Sequence, residues 1–224
     1  MKAKKSTITY IFGEGRSKHI LSEENFKKDF FYGYFDFKKE FKNINFIEFS
    51  PKIKKGFFNS LLFIFSKVLR KMTKLSFFFE NICTFKNLLI LSKSNYIILT
   101  NDRIGVSTLP LLFILKIFKR TKSSIVVMGL LAKDTQNIFS HIAQRFLLTL
   151  CFKIVNNFIF LSKGEFSQAK MSFSKYRKKF YFVPFCIDTN FWKDTSKLNR
   201  ESILFIGNDG RREYDFALNL AENM

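Results

Sequence analysis

The residues that decide the fold run from Ile125-Val126-Val127-Met128-Gly129 to Phe158-Ile159-Phe160-Leu161. Two short apolar runs, 125–128 and 158–161, bound an amphipathic stretch over 136–152. Neither run alternates apolar with polar residues, as expected of strands covered by helices on both faces. Strand, helix and strand in succession are the signature of an α/β fold with a parallel sheet.

The same alternation continues outward. Apolar runs at 7–12, 45–49 and 96–99 precede the decisive stretch, and one at 180–183 follows it. Between them lie amphipathic stretches at 23–39, 57–91 (read as two helices) and 104–118. After Leu161, Ser162 stands three residues before Glu165, the spacing of a capping box. A change comes at Val183-Pro184. Residues 185–200 have no clear period and are rich in Asp, Asn, Thr, Lys and Ser, so they read as a linker. Residues 202–206 then open a new strand, 207–210 make a tight loop and 212–223 look helical. The expected architecture is α/β: a Rossmann-like parallel sheet flanked by helices over 1–184, a linker over 185–200, and an incomplete second α/β unit over 201–224.

Of the 224 residues, 47% are hydrophobic and 25% charged, which places the chain among globular proteins and not disordered ones. The 32 Phe, with abundant Lys, Asn and Ile, match an AT-rich coding sequence, so each single Phe is read first as core filling. The formal net charge is +20. Residues 201–224 hold two arginines against five carboxylates, so the basic excess belongs to the earlier part of the chain. Such a field attracts nucleic acid, anionic lipid headgroups or phosphorylated substrates. Lysines favoured at solvated positions by codon bias explain it equally well.

Cys83, Cys151 and Cys186 are widely spaced and read as reduced thiols of a cytoplasmic protein. The longest uncharged run, 104–115, falls short of the roughly 18 residues a bilayer span requires. A surface association, peripheral at the inner face of a membrane, stays open.

Two glycine loops are the candidates for chemistry. Gly13-Glu14-Gly15-Arg16-Ser17-Lys18 follows the first strand, where backbone can approach a phosphate. A dinucleotide fingerprint would need a small residue in place of Lys18, and its acidic partner could only be Glu48. A polar loop facing a cleft is the better reading, with Arg16 and His19 as the residues to touch an acceptor or other substrate. Gly207-Asn208-Asp209-Gly210-Arg211-Arg212 also joins a strand to a helix, and its two arginines suit a diphosphate. A plain turn accounts for the same residues. His141, inside an apolar helix, reads as a core histidine. No nucleophile–base pair, metal-ligand spacing or aromatic RNA-binding motif is present, so no catalytic residue or metal is assigned and nucleic acid is the less favoured partner.

Three blocks occur in order: Phe160-Leu161-Ser162-Lys163-Gly164-Glu165, then Phe182-Val183-Pro184-Phe185-Cys186-Ile187-Asp188-Thr189-Asn190-Phe191-Trp192, then Ile203-Leu204-Phe205-Ile206-Gly207-Asn208-Asp209. Together they resemble the domain junction of retaining, nucleotide-sugar-dependent GT-B glycosyltransferases of bacteria. The resemblance implies two facing Rossmann-like domains, with acceptor on the first and nucleoside-diphosphate sugar mainly on the second. It implies a metal-independent enzyme of cell-envelope glycan synthesis, acting on a polysaccharide or lipid-linked acceptor. By this resemblance Gly13 and Gly15 approach the donor phosphates, while Gly207 and Arg211 or Arg212 bind the diphosphate. The chain departs from the family in having Met128-Gly129 for His-Gly, and Cys186 for the hinge glycine. The family's paired glutamates do not occur before Met224. The expectation is therefore a fragment of a longer gene with little activity alone. Two other readings stand beside it: a non-catalytic basic module for anionic membrane or nucleic acid, and an acceptor-domain subunit of a split enzyme.

Overall fold

A computed structural model describes residues 4–22, 28–50, 56–118, 121–133, 135, 137–189 and 218–219. The chain divides into two units, residues 1–188 and 189–224. In the second unit only Thr189, Leu218 and Asn219 are described, the latter two helical, so the strand, loop and helix expected over 201–224 otherwise lie outside the described residues. The linker expected over 185–200 is irregular as far as Thr189, beyond which it too lies outside them.

In the first unit the elements are β1 (Lys4–Phe12), α1 (Arg16–Ser22), α2 (Tyr34–Glu40), β2 (Phe41–Glu48), α3 (Phe57–Thr73) and α4 (Phe85–Ser92). They continue with β3 (Tyr96–Leu99), α5 (Asp102–Phe118), β4 (Lys122–Val127), α6 (Ile138–Ile154), β5 (Asn157–Phe160), α7 (Lys163–Ser172) and β6 (Phe180–Phe182). Short 3-10 turns occupy Lys28–Phe31, Phe79–Asn81 and Ser174–Lys179. The six strands form one sheet in the order β2-β1-β3-β4-β5-β6, and every pair is parallel. This is the Rossmann-like α/β arrangement expected from the sequence.

The strand order explains the layers. From β1 the chain steps to one side, and from β2 onward it steps to the other. Right-handed crossovers therefore send α1 and α2 to one face and the later helices to the opposite face. Tyr10, Phe12 and Ile98 pack with Phe31 and Tyr34 in one apolar cluster. Ile11, Ile97, Leu99, Ile125, Val127, Phe158 and Phe160 pack with Leu112, Leu148 and Phe152 in the other. Residue parity decides the face, because successive side chains in a strand point opposite ways.

Local chemistry sets the element ends. Thr84, Asn137 and Ser162 are N-caps of α4, α6 and α7, each accepting a backbone N–H with its side chain. At the far end of α6, the Lys179 ammonium donates to the carbonyls of Phe152 and Val155 at 2.6 and 2.7 Å, and the Lys116 ammonium to that of Lys153. Cations there match the negative end of the helix dipole. Gly105 on α5 lets that helix touch β4: a Cβ at this position would lie 2.6 Å from Ile125 Cδ1.

Four expectations are corrected. His141, expected in the core, is exposed on α6. Of the helix expected over 23–39, residues 23–27 lie outside the described residues; Lys28–Phe31 form a 3-10 turn, and left-handed Tyr32 (φ +47°) and Gly33 (φ +75°) separate it from the helix that begins at Tyr34. The loop expected over 13–18 ends at Gly15, and α1 begins at Arg16. The core-filling reading of Phe fails on outer helix faces, where Phe57, Phe58, Phe65, Phe85, Phe113, Phe118, Phe139 and Phe146 are exposed.

Candidate ligand cleft

In an open parallel sheet, ligands bind beyond the carboxyl ends of the strands, near the point where strand order reverses. Here that point lies between β1 and β3. The loops following β1, β4, β5 and β6 meet along this edge.

Gly13 and Gly15 follow β1 directly. Gly15 has φ +84°, so a side chain there would be strained, and open space surrounds both glycines where a Cβ would stand. The backbone is thus free to be approached. The start of α1, however, is answered from within the protein. Glu48, at the end of β2, accepts from Ser17 N–H at 3.1 Å and from the Ser17 hydroxyl at 2.6 Å. Burial acts to push the Glu48 carboxyl up. Hydrogen bonds from the Ser17 hydroxyl and the amides of Ser17, Arg16 and Gly15 outweigh that and hold it below its ordinary value. A carboxylate thus sits on the donors that an incoming phosphate would use.

Arg16 packs against neighbouring aromatic rings. Its guanidinium lies over the rings of Phe30 and Phe31, 5.3 and 5.7 Å from their centroids. His19 is exposed, one turn further along α1. Gly207, Arg211 and Arg212 lie outside the described residues. The structure therefore brings Gly13, Gly15 and Arg16 to one edge and leaves His19 on the surface.

The main recess on this edge lies beside β4 and β5. It is a cleft of about 690 Å³ bordered by Phe30, Met128, Gly129, Ser162, Glu165, Gln168 and Phe185. That volume suits a small-molecule site, which spans roughly 300–1,000 Å³. Phe30 and Phe185 face each other with ring centroids 6.1 Å apart. The segment carrying Phe185 is tied down where Asp188 N–H donates to the Asp29 carboxylate at 2.7 Å.

Glu165 shapes the opposite wall. The capping box expected with Ser162 is half formed: Ser162 accepts the Glu165 N–H at 3.5 Å. The Glu165 carboxylate turns instead to the loop after β4, accepting from Gly129 N–H at 3.0 Å and Leu131 N–H at 2.9 Å. Those two donors would otherwise lack partners, and this draws the side chain away from its own helix end. Gly129, at φ +109°, makes the turn that aims them.

Tyr32 connects this edge to a second recess. Its hydroxyl donates to Met128 Sδ at 3.4 Å, and its left-handed backbone costs about 1–2 kcal/mol for a residue with a Cβ. Burial pushes its phenol up, against the pull of Arg16. Beyond it an apolar groove of about 500 Å³ runs over the sheet face, floored by Ile8, Ile98, Val126 and Ile159. At the groove's amino end the hydroxyls of Tyr96 and Ser124 meet at 2.5 Å, and the Asn157 amide donates to both.

Sequence reasoning missed Tyr32 and the true role of Glu165. The only local sign of the first is Gly33 beside it; the second depends on a contact more than thirty residues away.

Among the described residues no group of three or more His, Cys, Asp or Glu is placed to hold a metal ion. None of their helices is long and apolar enough to cross a membrane. Comparison with protein-family models, with curated proteins and with solved structures returns no match.

Proposed function

We propose that the chain carries the acceptor-side, Rossmann-like half of a retaining nucleotide-sugar-dependent glycosyltransferase, and that the cleft beside β4 and β5 receives the glycan or lipid-linked acceptor. The observation that carries this reading is the chemistry of the cleft. Two phenyl rings, Phe30 and Phe185, flank hydrogen-bonding groups on Ser162, Gln168 and Glu165. Among the described residues its border includes one carboxylate and no cation. A neutral, hydroxyl-rich ring can lay its C–H face on an aromatic wall and exchange hydrogen bonds with such groups. A phosphate would meet the wrong charge.

The resemblance of the blocks within residues 158–215 to a glycosyltransferase junction supports the same assignment. In this reading the donor diphosphate is held by Gly207, Arg211 and Arg212, with Gly13 and Gly15 letting backbone come close. The arginine charge stabilises the leaving nucleoside diphosphate as the glycosidic bond breaks. The acceptor is part of a cell-envelope glycan, and the work is done on the cytoplasmic side of the membrane.

The test is a chemical-shift titration of the 15N-labelled chain with glycans and with nucleoside-diphosphate sugars. Glycans should move the amides of Gly129, Gln168 and Phe185, and Phe185→Ala should weaken glycan binding about two- to tenfold, as expected for loss of one aromatic contact. Nucleotide sugars should move Gly13, Gly15 and Gly207. If neither class of ligand moves any of these amides, the reading is wrong.

A further inference from the structure

Most surface helices in a protein of this class turn a polar face to water. The helix α3 turns an apolar stripe to water as well. Its inner side is buried through Leu62, Ser66, Leu69 and Thr73, while Phe57, Leu61, Ile64, Phe65, Val68 and Met72 are exposed. These six recur at helical spacing and fall within an arc of about 100° on a wheel of 3.6 residues per turn. Phe57 is 84% exposed. Lys67 and Lys71, both exposed, run along one border of that arc, and Lys74 follows the helix.

The helix α6 packs against α3, and Gln144 on α6 donates to the carbonyl of Thr73. It repeats the pattern: Ile138, Phe139, Ile142 and Phe146 are exposed, Phe139 at 82%, with Arg145 exposed beside them. Neither helix contains an Asp or Glu. Three further lysines, Lys52, Lys54 and Lys55, precede α3 in the sequence.

We propose that the outer faces of α3 and α6 dock this protein on an anionic lipid bilayer. Exposed rings and branched chains enter the acyl boundary, while lysines at the border meet phosphate headgroups. Charge selects this occupant over an apolar protein partner: cations edge the stripe, no carboxylate interrupts it, and the chain's net charge is +20. No helix among the described residues can span a bilayer, so the contact lies in the membrane plane. None of these residues lines the cleft, so this surface and the glycan reading stand or fall separately.

The experiment is flotation of the whole chain with vesicles of phosphatidylcholine alone, or of phosphatidylcholine mixed with phosphatidylglycerol. The wild type should float with the mixed vesicles, and binding should weaken as salt is raised. Lys67→Gln and Lys71→Gln should each lower partitioning roughly fivefold. The triple variant Phe57→Ser, Leu61→Ser, Ile64→Ser should lower it at least tenfold, with an unchanged circular dichroism spectrum because these side chains are exposed. Equal binding to both vesicle types, no flotation, or full binding by the triple variant would overturn the proposal. So would a dimer in sedimentation velocity that the triple variant dissolves while vesicles stay unbound, since the face would then be a contact between copies.

Discussion

The Glu48 carboxylate grips Ser17 twice, taking its backbone N–H at 3.1 Å and its hydroxyl at 2.6 Å. An acidic side chain at the end of the second strand thereby serves as the cap that α1 lacks in its own sequence. Because hydrogen bonds hold this carboxyl below its ordinary value of 4.5, the contribution to stability is complete above that value. It is lost as pH falls through the lower, folded-state value. Glu48→Gln should cost about 1 kcal/mol near neutrality, a figure kept small because the group is partly exposed. Urea denaturation at stepped pH should show the wild type and variant converging in acid. A constant difference down to the acid limit would refute this account.

Gly105 brings α5 so close to β4 that a Cβ there would stand 2.6 Å from Ile125 Cδ1. Gly105→Ala should destabilise by a net of about 1–2 kcal/mol, since overpacking outweighs the gain in helix propensity. Thermal melts of Gly105→Ala, Ile125→Val and the double variant form the check. The double variant should lose less than the sum of the two singles.

Removing the Glu165 carboxylate should release the loop after β4. Glu165→Ala leaves the Gly129 and Leu131 amides without their acceptor, at a cost of about 1–3 kcal/mol. Hydrogen exchange at those two amides should rise at least about fivefold, by the same energy. Ser162→Ala, which removes only the helix cap, should cost about 1 kcal/mol and leave both amides protected.

The three thiols should react very differently. Cys83 and Cys151 are buried, and Cys186 is exposed. Burial, with the nearby Glu80 charge added at Cys83, pushes both buried thiols up to about 12. At mildly alkaline pH a maleimide-type reagent should therefore modify Cys186 alone, and all three only after unfolding. Mass spectrometry of the native protein settles it. Rapid labelling of Cys151 would contradict the packing described for α6.

The strands were legible in the sequence because their chemistry is local. Ile97, Ile98 and Leu99, or Ile125, Val126 and Val127, must be apolar on both faces in a parallel sheet, and that leaves an unbroken run. What escaped was decided elsewhere in the chain. The start of α1 depends on Glu48, and the position of Glu165 depends on Gly129 and Leu131. No window around Arg16 or Ser162 contains those partners. The break at Tyr32 was hidden for another reason, since Tyr seldom takes a left-handed backbone and Gly33 beside it was the only local sign. For the cleft, the glycines could be seen but not the facing of Phe30 and Phe185, which lie far apart in sequence.

The place of β1 in the sheet has a consequence for synthesis. β1 is made before β2 and β3 yet lies between them, and its register with β3 ends at Ile11 opposite Leu99. One edge of β1 therefore stays open until Leu99 has been made. During that interval its unpaired amides and carbonyls offer an edge to any other extended chain. Long-range parallel pairing of this kind is slow to form and exposed to aggregation. The nascent protein is thus vulnerable while residues between β2 and β3 are being added, the stretch that includes the exposed apolar face of α3.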